Sequence, residues 1–150
     1  MPAYFARINS LGGEDADGRW RATVETLFTR RIRGGASYCA ACNNGFQALG
    51  ADCAKNAGFL VAYAEYADET SPLYGSRTVA FIHDELIVET DDNEKAHDAA
   101  HELARLMVVG ANEFLPDVPI PLAKMEPLLM RRWSKKAEPV IVDGRLVPWM

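Results

Sequence analysis

Two short apolar runs, Val79-Ala80-Phe81-Ile82 and Leu86-Ile87-Val88, meet at the ionisable triplet His83-Asp84-Glu85. β-Branched and aromatic runs of this length on either side of a polar break predict paired, largely buried strands joined by a tight turn. Two-residue hairpin turns favour Gly or Asn because they need positive φ, and the triplet contains neither. A local rule broken at the end of a rigid hairpin marks a candidate site; the alternative is a polar turn that happens to be acidic.

The remaining pattern surrounds this hairpin. Tyr4, Phe5 and Ile8 predict a short helix over residues 3–10, and the Gly- and Asp-rich stretch 11–18 reads as a flexible acidic loop. Trp20, Ala22 and Val24 alternate with Arg21, Thr23 and Glu25, as in a half-buried strand near a sheet edge. Arg30-Arg31-Ile32-Arg33-Gly34-Gly35 follows as a basic loop, either solvated surface or a phosphate contact. Residues 36–67 are rich in Ala and free of Pro, which predicts a long helix. Cys42, Phe46, Leu49, Cys53, Ala57, Leu60 and Ala64 recur at three- and four-residue steps as its buried stripe. Residues 68–76 form a loop into the hairpin.

Beyond the hairpin, Asp91-Asp92-Asn93-Glu94 predicts an acid-capped helix start, and Pro116 ends a helix over 92–114. Leu122 to Met130 reads as a further strand, and Asp143-Gly144 as a two-residue turn between Val140-Ile141-Val142 and Arg145-Leu146-Val147. Strands and helices in this order predict a single α+β domain, with an antiparallel sheet and both long helices packed on one face.

With 150 residues and 49% hydrophobic composition, the chain can bury one core and is not a disordered segment. It has no run of 18 apolar residues and no secretory pattern at its start, so a soluble, cytoplasmic protein without a membrane partner is expected. A net charge of −5 argues against broad polyanion binding but leaves room for a local basic edge at Arg30, Arg31 and Arg33. Cys39 and Cys42 have the spacing of half a zinc site. Cys53 lies roughly 16 Å farther along the same predicted helix at 1.5 Å per residue and does not close it, which favours small buried thiols.

Two other features bear on chemistry. Asn43 and Gln47 form a second stripe with Cys39 on the long helix, and Asn is a poor helix former. They are either a solvated face or amides placed for a ligand. His97 and His101 are four residues apart and suit a shared metal, but no Glu occupies the second position of an HExxH motif and no third ligand is evident. A solvated face is the other reading.

Ile82-His83-Asp84-Glu85-Leu86 resembles the third motif of family A DNA polymerases, the replication and repair enzymes of bacteria and many phages. Asn43, Gln47, Asp52 and Lys55 are similar, in spacing, to the long helix that precedes that motif, and Val24-Glu25-Thr26-Leu27 followed by Arg30-Arg31 resembles the strand and basic turn ahead of the helix. The likeness covers residues 20–130. Residues 1–19 are then a lead-in, and the tail 131–150 is unexplained. Where the family usually has a basic residue four positions before the asparagine, this chain has Cys39.

The resemblance implies a palm-like sheet and the carboxy-terminal palm portion of a template-directed nucleotidyltransferase active in DNA replication. It implies Asp84 and Glu85 as magnesium ligands, with Asp84 holding the metal directly, and His83 beside the primer end. Asn43 and Gln47 would lie in the minor groove of primer-template DNA, and Arg30 and Arg31 on its phosphates. The first catalytic carboxylate motif, the fingers that grip the deoxynucleotide triphosphate, and the thumb have no counterpart here. The resemblance therefore implies a split polymerase, inactive without a partner chain that supplies them and completes a two-Mg²⁺ site. A non-catalytic DNA-binding accessory protein and a metal-dependent hydrolase are the alternatives.

Overall fold

The computed structural model describes residues 2–26, 28–83 and 85–150. The fold is α+β, with antiparallel strand pairs. Two compact units divide the chain, one up to Asp52 and one from Cys53 onward.

The first unit opens with helix α1 (Pro2–Ser10), followed by strands β1 (Gly12–Glu14), β2 (Trp20–Glu25) and β3 (Ile32–Ala36), which form a sheet in the order β1-β2-β3. The expected loop over 11–18 therefore contains a short strand, and β2 is central rather than near an edge. Gly12 makes that pairing possible: a Cβ there would collide with the Trp20 indole, so only a glycine lets the ring cover the strand. The alternation of β2 is as expected, with Ala22 and Val24 buried and Thr23 and Glu25 exposed. The basic loop also tightens into a strand. Ala22 pairs with Ala36 and Val24 with Arg33, so β3 carries one extra residue, and Gly35 absorbs it at φ +64°.

Helix α2 (Tyr38–Tyr66) gives its first half to this unit. Ile8, Ala22, Val24, Ala36 and Ala41 are the core, flanked by Tyr4, Trp20 and Tyr38. The Tyr4 hydroxyl donates to the Cys42 carbonyl at 2.5 Å, and burial pushes its pKa above the ordinary phenol value. Phe46 departs from the predicted buried stripe: it is 58% exposed and meets the Tyr4 ring at 5.4 Å. Of the thiols, Cys53 is buried, Cys42 half-buried and Cys39 exposed, so the expectation of buried thiols holds for Cys53 alone.

In the second unit, strands β4 (Arg77–Ile82) and β5 (Glu85–Glu89) form the central hairpin, and helix α3 (Ala96–Asn112) follows. Val61 and Ala64 from α2, Ala99 and Leu106 from α3, and Leu73 from the intervening loop make its core, against which Leu86 and Val88 of β5 pack. Both long helices thus cover one side of β5, as the pattern predicts. Asn56 Nδ2 donates to the Gly110 carbonyl at 2.8 Å, and a Cβ at Gly110 would stand 2.6 Å from the Ala57 Cα. The glycine permits that helix approach.

Three expectations change in this unit. The strands form separate small sheets rather than one, the last being β6 (Val140–Val142) with β7 (Arg145–Val147). Helix α3 starts at Ala96 without a side-chain cap on its first turn, and Asn93 Oδ1 instead accepts from the Lys95 amide in the preceding turn. The expected strand at 122–130 is a 3-10 turn (Leu122–Lys124) followed by an irregular strap, in which Pro127 withholds an amide donor that a ladder needs. The terminal turn forms as expected, with Asp143 at φ +51° and Gly144 at φ +76°. Among the described residues, no helix is long and apolar enough to cross a membrane.

Candidate nucleic-acid face and carboxylate turn

In the first unit, Asn43 and Gln47 are exposed on α2. Among the described residues, neither amide makes a side-chain hydrogen bond, so both are available to an external acceptor. Four residues apart on a helix, they lie one above the other on a single face. Cys39 and Phe46 are exposed with them. Exposure is also what a solvated face shows; the unpaired donors at helical register are what a ligand would use.

The basic turn divides into two roles. Arg31 Nη2 pairs with Asp52 Oδ1, while Thr29 Oγ1 donates to Asp52 Oδ2 at 2.8 Å. The Arg31 backbone amide donates to Thr26 Oγ1 at 2.9 Å, and its Nε reaches Thr29 Oγ1 at 3.2 Å. The Asp52 side chain is 2% exposed. A buried carboxylate needs such partners, so Arg31 is first a clamp that fastens the turn to the helix. The Arg31 side chain as a whole is 43% exposed. Arg30, at φ +54°, carries a far more exposed side chain and a surface pair with Glu25 at 2.6 Å. Such a pair is weak and readily exchanged for a phosphate. Arg33 is exposed and has no ion-pair partner among the described residues.

In the second unit, His83 is exposed and takes φ +58° at the head of the hairpin, the left-handed conformation that a two-residue hairpin turn needs and that His adopts more readily than most residues other than Gly. Ile82 pairs with Glu85 across the turn. Asp84, the residue expected to hold metal directly, lies outside the described residues. Glu85 is exposed, and the Trp133 indole N–H donates to its Oε1 at 3.4 Å. Arg131 of the same strap pairs with Asp92 at 2.6 Å. A groove of about 1020 Å³ lies between β5, α3 and this strap. The contact from Trp133, 48 residues away, was not foreshadowed by any local pattern.

The hairpin is less buried than its apolar composition predicts. Val79 and Phe81 are each 50% exposed: the core of this unit packs on Leu86 and Val88 of β5 and on neither of them, and among the described residues β4 pairs only with β5. Beneath it, Thr78 Oγ1 donates to the buried Glu65 carboxylate at 2.7 Å.

The donor chemistry of Glu85 suits a hard cation, which takes oxygen ligands, but such ions need about six. Among the described residues, no group of three or more His, Cys, Asp or Glu side chains is placed to hold a metal. The His97–His101 pair does not suit a metal either: His97 Nδ1 accepts the Leu146 amide at 2.8 Å, which in the neutral ring leaves the proton on Nε2 and no lone pair facing outward.

No family model, curated protein or solved structure matches the chain.

Proposed function

We propose that this chain is the carboxy-terminal palm portion of a split, family A-like DNA polymerase, and that it binds primer-template DNA through the minor groove. One observation carries the reading: Asn43 and Gln47 present unpaired amide donors at helical register on the exposed face of α2. Every correct base pair offers purine N3 and pyrimidine O2 as minor-groove acceptors, so such donors test pair geometry without reading sequence. Arg30 and Arg33 supply exchangeable positive charge for the phosphates, and Arg31 fixes the turn that presents them.

His83, Asp84 and Glu85 form one of two carboxylate elements in this reading, the other arriving with the partner chain that brings fingers and thumb. Magnesium held between the two elements would activate a primer hydroxyl and stabilise the leaving oxygen of the deoxynucleotide triphosphate. Glu85 contributes a hard oxygen at the start of β5. The half-exposed β4 is the surface on which a strand from the partner would find unpaired backbone and apolar side chains.

A second reading is a DNA-binding accessory protein without chemistry, which keeps the exposed amide face of α2. Both readings require the groove contact. Anisotropy titration of a labelled primer-template should show that replacing Asn43 and Gln47 together by Ala weakens binding roughly tenfold, the scale of a few groove hydrogen bonds. The exposed control Glu69→Ala should leave it unchanged. Equal behaviour of the two proteins would remove the groove assignment and both readings with it.

A further inference from the structure

The terminal hairpin has no part in the polymerase reading, yet it is fastened to α3 in a particular way. The backbone N–H of Leu146 donates to Nδ1 of His97 at 2.8 Å, and the Leu146 side chain is buried. Arg145 Nη2 donates to the Glu94 carbonyl at 2.6 Å and stands 3.8 Å from Asp98. The hairpin in turn holds the strap: the Trp149 amide donates to the Leu129 carbonyl at 2.8 Å, and Trp149 bridges Met130. That strap lines the groove along β5 and carries Trp133 to Glu85.

We infer that β6 and β7 form an acid-releasable clip that keeps the strap over the groove beside Glu85, with neutral His97 as its catch. A neutral imidazole has one acceptor nitrogen, whereas an imidazolium carries N–H at both positions. Protonated His97 therefore directs a donor at the Leu146 donor, and the contact is lost. The charged groups around the ring act as follows. His101, one turn on, has its ring centroid 4.5 Å away, so charging both rings adds repulsion. Asp98 favours a charged ring but already faces Arg145 from β7. On the other side, Pro72, Leu122, Met125 and Pro127 are apolar, and Glu102 and Arg105 pair with each other at 2.7 Å. Neutral His97 thus docks the hairpin, and acid frees it, exposing the groove and releasing Glu85 from Trp133.

Nuclear magnetic resonance on the full chain tests this. At about pH 7.5 the His97 ring should be the Nε2–H tautomer and the Leu146 amide protected from exchange; at a lower pH, where the nitrogen-15 shifts show the ring doubly protonated, protection corrected for intrinsic rate should fall at least about tenfold. His97→Phe, which lacks an acceptor, should show low protection at both pH values, while His101→Gln should keep the acid-induced loss. An Nδ1–H tautomer at the higher pH, or equal protection at both, overturns the clip. Those two wild-type measurements decide the matter even where His97→Phe does not fold, and neither depends on the chain being a polymerase fragment.

Discussion

Arg31 places its guanidinium on the buried carboxylate of Asp52, 21 residues farther along the chain, and so ties the basic turn to helix α2. Removing one partner of a buried pair leaves an uncompensated charge, whereas an exposed pair contributes little. Since Arg31 is partly in water and Asp52 is not, Arg31→Ala should cost about 2 kcal/mol, below the range for a fully buried pair. Urea unfolding monitored by circular dichroism reads this directly. Arg30→Ala should leave stability within about 0.5 kcal/mol, as surface substitutions do, and should reduce the slope of log affinity for DNA against log salt by roughly 0.9, one phosphate contact. An unchanged slope would place Arg30 off the DNA.

Gly110 is expected to tolerate no side chain. A methyl there meets the Ala57 backbone at 2.6 Å, which a helix cannot yield without moving as a body. Gly110→Ala gains intrinsic helix propensity, about 1 kcal/mol, but overpacking typically costs 1–3 kcal/mol or roughly more where backbone is the obstacle. The net effect should be destabilising. Gly50→Ala, in the same kind of helix with open space around its Cβ position, should stabilise. Thermal melts of the two variants that moved in the same direction would contradict the packing described for the helix pair.

The exposed side of β4 predicts association. Val79 and Phe81 stand half in water beside a strand edge that has no partner among the described residues, a combination that promotes edge-to-edge pairing. Sedimentation of the chain by itself should show concentration-dependent self-association, relieved by Val79→Lys. The same substitution should weaken binding to the chain that supplies the missing strand. A wild-type protein that stayed monomeric at high concentration would contradict this use of the edge.

What was legible in the sequence was what local chemistry decides. The Asp143-Gly144 turn, the alternation of β2 and the Ala-rich length of α2 all follow from backbone preference and periodicity. Strand β1 escaped because Gly12 and Gly13 carry no pattern; its reason is the Trp20 ring eight residues away. Residues 122–130 read as a strand because their apolar content outweighed Pro127. Of the candidate site, the amide stripe on α2 and the hairpin around the polar triplet were legible. The Arg31–Asp52 clamp, the Trp133–Glu85 contact and the His97–Leu146 catch are long-range meetings that no spacing encodes.

The central claim is that His83-Asp84-Glu85 supplies one half of a polymerase active site and that the other half comes from a partner. Primer extension with Mg²⁺ tests it most directly, using the chain alone and the chain mixed with the protein that carries the fingers and first carboxylate motif. Asp84→Asn, nearly isosteric but uncharged, serves as the probe. No synthesis by the chain alone, synthesis on mixing, and loss of at least about a hundredfold with Asp84→Asn, the scale of a missing electrostatic stabiliser, is the predicted result. Robust extension by the 150-residue chain alone, or full activity of the mixture containing Asp84→Asn, would contradict it.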